Sequence, residues 1–168
     1  MRNPIFILAA FLLFGLSACN SVDKELVSKM QKDVDEMSGL SAAFEEMQQS
    51  TSNLAERVSN TPEEMKIDDA TSFKDLNEML AAMAQKQQAT IAEYNDLMQK
   101  LKNLVAEYSA GKVKTEDAQK EYENLHNGLQ GIADLSQRIR ERSDQMETNF
   151  AKMTATWKAK TEGSTPAE

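Results

Sequence analysis

Residues 73–108 read FKDLNEMLAAMAQKQQATIAEYNDLMQKLKNLVAEY, and their spacing decides the fold. Phe73, Leu76, Leu80, Met83, Gln87, Thr90, Tyr94, Leu97, Leu101, Leu104 and Tyr108 follow one another at steps of three and four in strict alternation. Only Gln87 and Thr90 are polar. A row with this period stays on one side of an α-helix and makes the seam of a coiled-coil-like packing. No alternating run of β-branched residues competes with it.

The same rhythm extends in both directions. Downstream it runs through Ala118, Tyr122, Leu125, Leu129, Ile132, Ser136, Ile139, Ser143, Met146, Phe150, Met153 and Trp157. Upstream it is rougher: Val27, Met30, Val34, Met37, then Leu40 or Ser41, and Phe44, Met47, Thr51, Leu54 and Val58. A doubled three-step near Phe44 is a stammer that overwinds the seam. Asn60 and Pro62 close the first helix, and Thr61-Pro62 can open a short helical turn. Ser72 and Asp75 have the spacing of a capping box for the second helix. Gly111 closes that helix, and Thr115 with Glu116 and Asp117 opens the third.

The spacing therefore predicts an all-α chain: helices over 23–60, 72–109 and 115–160 in an elongated antiparallel up-down-up three-helix bundle, with a disordered tail over 161–168. Short links between long helices imply antiparallel neighbours. With turns near residues 66 and 112, Ser41, Thr90 and Ser136 fall at one height, with Gln87 adjacent. That is a polar core layer, either a small ligand pocket or a device that sets register. Gly39, Tyr94 and Gly131 share another level, with Gly128 a turn away. Interior glycines cost about 1 kcal/mol each relative to Ala, so they are expected to make room for the Tyr94 ring; a break at Asn127-Gly128 is the alternative. Association of two copies is a further arrangement, because the first helix has the weakest seam.

Composition excludes several functions. The chain has 168 residues, 19 Lys and Arg against 27 Asp and Glu, and a net charge of −8. That balance opposes a nucleic-acid surface, which needs a clustered positive footprint. Three Pro and six Gly are too few to punctuate a sheet. One Cys and one His exclude an internal disulfide and a His/Cys metal cluster.

The lone Cys is nonetheless informative. Arg2 precedes an almost unbroken apolar run over residues 5–16, short of the roughly twenty residues that a membrane span needs. It has the form of a secretory signal peptide. Leu16-Ser17-Ala18-Cys19 follows at once and resembles the lipobox of bacterial lipoproteins. The resemblance implies cleavage of a signal peptide over 1–18 and a lipidated N-terminus over 19–22. Cys19 would carry a diacylglycerol and an N-acyl chain, with no other cofactor. Asn20, in place of Asp, resembles the outer-membrane-sorted kind more than the inner-membrane-retained kind.

Candidate chemistry in the remainder is sparse. The methionines lie mostly on the seam as core filler; the alternatives are an adaptable groove or a thioether site, for which Met79 and Met83 are the one i,i+4 pair. His126 stands alone beside Leu125, as a surface or edge histidine. The acidic pairs Asp33/Asp35, Glu45-Glu46, Glu63-Glu64 and Asp68-Asp69 read as solvated faces, without the spaced ligands of a calcium loop. Trp157, Phe150, Phe73 and Val58 are expected at one end, as a core plug or as an anchor for a partner. Lys24, Lys29, Lys112 and Lys114 are expected at the lipid-facing end, each worth about 1 kcal/mol against anionic head groups. These features point to a non-enzymatic structural or interaction module in the bacterial envelope, with an envelope protein as partner. The alternative is a chaperone or carrier that holds an apolar ligand or peptide along the Met-rich seam.

Overall fold

Long amphipathic segments with so few helix breakers form helices and bury their apolar stripes against one another. The computed structural model describes residues 22–162 and consists of five helices: α1 (Lys24–Ser38), α2 (Leu40–Ser59), α3 (Glu63–Asp68), α4 (Ala70–Ser109) and α5 (Thr115–Glu162). They pack into an all-α bundle around one apolar core, and the α4–α5 pairing is the most extensive. At 1.5 Å per residue, the 40 residues of α4 span about 60 Å. Residues 1–21 and 163–168, which include the expected signal peptide, Cys19 and most of the expected tail, lie outside the described residues.

Cross-helix bonds give the register. Asp23 and Met37 bond to Tyr108 and Tyr94, and Thr51 bonds to Gln87, so partner numbers on α4 fall as those on α1 and α2 rise. Against α5 they rise together: Asp33 meets Tyr122, Glu46 meets Arg140, and Arg57 meets Glu147.

The expected first helix is divided at Gly39, next to the predicted stammer. Gly39 keeps helical dihedrals, and backbone N–H groups at the cap turn to the Glu36 and Met37 carbonyls in the last turn of α1. Tyr94 adds a second donor there: its hydroxyl, 2.9 Å away, donates to the Met37 carbonyl. The same ring packs against Phe44 with centroids 5.2 Å apart. After the break the seam continues through Leu40, which is half-buried, and Ser41 is turned out to solvent.

The capping box at Ser72 and Asp75 does not form. The short α3 leads into α4 at Asp69, whose carbonyl accepts from Phe73 N, so the helix has already begun at Ala70. Gly111, at φ 70°, ends α4 in a Schellman turn: its N–H donates to the Tyr108 carbonyl, and that of Lys112 to the Glu107 carbonyl. Near the middle of α4 the buried position passes from Leu97 to Met98, which is 4% exposed. A straight helix drifts by about 20° per heptad, and that drift moves the seam across by one residue. The helix α5 is continuous through Gly128 and Gly131 and extends to Glu162, past the expected end at 160.

Candidate functional site

Four places concentrate polar or aromatic chemistry. The first is the end where the chain enters α1. Tyr108, 1% exposed, accepts from Asp23 N at 2.8 Å and lies 3.0 Å from Thr115 Oγ1. One phenol thus ties together the start of α1, the end of α4 and the start of α5. Lys24, Lys112 and Lys114 are gathered there, all exposed. Lys29 is not part of that group; it lies more than a turn along α1 and pairs with Glu25 at 3.0 Å. That bond raises Lys29 above the ordinary lysine range.

The second place is the expected polar layer, which the structure rearranges. Gln87, 2% exposed, donates to Thr51 Oγ1 at 2.7 Å and to the Met47 carbonyl at 3.4 Å. Thr90 is buried, but its hydroxyl turns back to the Lys86 carbonyl, and half-buried Ser136 likewise bonds Ala133. Ser41 is exposed and takes no part, because Leu40, three residues after Met37 and four before Phe44, holds the seam position instead. The four expected residues form no common pocket. The buried link is Gln87–Thr51, a register lock between α4 and α2.

The third place was hidden in the sequence. Asp33 is buried on α1, with its side chain 10% exposed, although the acidic pairs were expected on solvated faces. Its Oδ2 accepts from the Tyr122 hydroxyl at 2.9 Å and lies 2.5 Å from His126 Nδ1. His126 does sit at an edge, 38% exposed, but it is engaged. Tyr122 and His126 are four residues apart on α5, so they share a face, and their rings lie 5.8 Å apart. Burial, followed by the hydrogen bond to Asp33 and its charge, pushes the Tyr122 phenol up to about 12. It therefore remains a proton donor over the neutral range. A carboxylate that orients a histidine makes two of the three members of a hydrolytic triad, yet among the described residues no nucleophile bonds to His126. Both Asp33 and Val34 satisfy the spacing between Met30 and Met37, and apolar character alone favours Val34. The signal that finds Asp33 is the Tyr122–His126 spacing opposite an acidic helix.

The fourth place is the end of the bundle that holds α3. Val58, Met65, Phe73 and Phe150 are buried, each 5% exposed or less, while Trp157 is half-buried. Beside Trp157, an open groove of about 960 Å³ runs between α2, the 60–62 loop, Met65 and α5. Arg57 stands 5.2 Å from the Phe150 ring centroid and pairs with Glu147. Lys160 reaches Asp68 at 2.7 Å. Val58, Phe73 and Phe150 thus plug the core, and Trp157 contributes a partly open aromatic face.

Among the described residues, no three His, Cys, Asp or Glu side chains are placed to share a metal ion, and no helix is long and apolar enough to cross a membrane. No family model, curated protein or solved structure matches the chain.

Proposed function

We propose that the chain is a lipid-anchored bacterial envelope protein whose bundle acts as a non-enzymatic structural or protein-interaction module. The observation that carries this reading is Leu16-Ser17-Ala18-Cys19: the only Cys of the chain stands where a lipobox requires it, straight after an apolar run. Outer-membrane sorting follows from Asn20. The gathering of Lys24, Lys112 and Lys114 around the Tyr108 knot supports the orientation, because residue 22, three positions after Cys19, enters the bundle at that same end. The attachment would be stable, since each buried CH₂ of the acyl chains contributes about 0.8 kcal/mol.

The carrier alternative requires the Met-rich seam to open. Met30, Met47, Met83 and Met146 are at most 4% exposed, and no buried side-chain nitrogen or oxygen among the described residues lacks a partner. Opening such a seam sacrifices packing along its length, which favours the closed module. The test is metabolic labelling with radioactive palmitate, comparing the wild-type chain with Cys19→Ser. Label on the wild-type chain alone is expected. Label retained by the Cys19→Ser chain would overturn the anchor. Native mass spectrometry of the purified protein addresses the alternative, since co-purified lipid or peptide would favour the carrier.

A further inference from the structure

The arginines of α2 and α5 divide into two kinds. Arg57 and Arg140 each reach across to an acid on the neighbouring helix, Glu147 and Glu46. Arg138 and Arg142, on the face of α5 turned to α4, have no ion pair among the described residues, and neither has Lys86 opposite them. In a chain of net charge −8 these three unpaired cations converge on one place. They line an open groove of about 660 Å³ between α4 and α5, whose apolar lining includes Met79, Met83 and Ile139. The two acids of the groove, Asp75 and Glu78, precede Met79 on α4, on the side away from Lys86, and Glu78 is offset by Lys74 at 3.9 Å. The acids thus keep to one part of the groove, and Arg138 and Arg142 flank Ile139 on α5, so the cations border the apolar lining directly.

We propose that this groove binds a single-chain anionic amphiphile, with its phosphate or carboxylate head on Arg138, Arg142 and Lys86 and its chain along Met79, Met83 and Ile139. Charge complementarity selects the occupant. Guanidinium groups present paired donors that match the planar or tetrahedral oxygens of such heads, and thioether side chains adapt to a flexible chain. The volume suits a small ligand. A free anion uses only the cations and an uncharged chain only the apolar side chains, so neither satisfies the whole groove. Binding here leaves the core closed and does not depend on acylation of Cys19.

The full chain, with its apolar N-terminal run held in zwitterionic nanodiscs and its methionine methyls labelled with ¹³C, is titrated separately with hexyl phosphate, hexanoate, hexanol and inorganic phosphate. Saturable shifts of the Met79 and Met83 methyls are expected with hexyl phosphate or hexanoate, and the tighter of the two identifies the head group. Hexanol and inorganic phosphate are expected to bind at least tenfold more weakly. Arg138→Gln with Arg142→Gln should weaken binding at least tenfold, whereas Arg140→Gln on the paired face should leave it unchanged. The proposal is overturned if neither anion shifts Met79 and Met83, if hexanol does so equally well, if Met30 and Met146 shift to the same extent, or if Arg140→Gln weakens binding as much as the double variant.

Discussion

Before Gly39, α1 is joined to α5 through a carboxylate: Asp33 takes donors from Tyr122 and lies against His126. After it, α2 is joined to α4 through the neutral Gln87–Thr51 bond, and to α5 through Arg57–Glu147 and Arg140–Glu46 pairs whose side chains are 44% to 78% exposed. The charged group is placed at an edge, where His126 retains contact with water. The fully enclosed position, Gln87 at 2% exposure, carries an amide. Desolvating a carboxylate costs several kcal/mol unless it is paired and hydrogen-bonded, while an amide needs only its partners. The two segments continue one heptad row, but they depend on different chemistry.

The strongest way to break this comparison is to remove both donors from Asp33. Tyr122→Phe combined with His126→Leu leaves a nearly buried carboxylate uncompensated and should cost about 3 kcal/mol, measured by urea unfolding near pH 7. A loss below about 1 kcal/mol would mean that water already solvates Asp33. The same site has an alkaline signature. The folded Tyr122 phenol is raised to about 12, above the roughly 10 of an unfolded chain, so its contribution is present below pH 10 and is lost as pH rises through 12. Stability should fall over that window, and less steeply in Tyr122→Phe. An identical slope in the variant would show that Tyr122 is not the phenol responsible.

The inner site is smaller in effect and sharper in logic. Gln87→Leu should cost about 2 kcal/mol, because it strands the Thr51 hydroxyl inside the core. Adding Thr51→Val removes the stranded group and should recover most of that loss, since replacing both partners by apolar groups is nearly neutral. A double variant as unstable as the single one would make the Gln87 amide to Met47 carbonyl bond, at 3.4 Å, the important contact.

The difference between the two segments also explains what a reader of the sequence can see. Helix class, the divisions near Pro62 and Gly111, and nearly all of the seam were legible, because burial of apolar residues at steps of three and four depends on local spacing. Gln87 was legible as a polar interruption in an otherwise apolar row. Its partner was not: the expected layer joined it to Ser41, Thr90 and Ser136, whereas Thr51 bonds it, because the long Gln87 side chain reaches along α2 to Met47 and Thr51 and so bonds residues that backbone height alone does not pair with it. Asp33 was hidden for the complementary reason. Two residues competed for one seam position, and only contact with Tyr122 and His126, about ninety positions away, makes the charged one acceptable inside.

The smallest effects concern two glycines of α5 just past His126, which were expected to make room for Tyr94. Tyr94 instead bonds Met37, and a Cβ on Gly131 would meet nothing within 4 Å. Gly131→Ala should therefore stabilise the bundle by about 0.5–1 kcal/mol, through helix propensity and a less flexible unfolded chain. At Gly128 a Cβ would stand 3.0 Å from Leu97 Cδ1, so that residue seats Leu97, the side chain displaced from the seam by Met98. Leu97 must yield by a few tenths of an ångström, and Gly128→Ala should fall below Gly131→Ala, near zero on thermal unfolding. In a Leu97→Ala background the obstruction is gone and the same change should stabilise by about 0.5 kcal/mol or more, a non-additivity that a double-mutant cycle measures directly. Equal gains in both backgrounds would show that Leu97 does not rest on Gly128, and the half-buried position of Leu97 would then follow from helix drift alone.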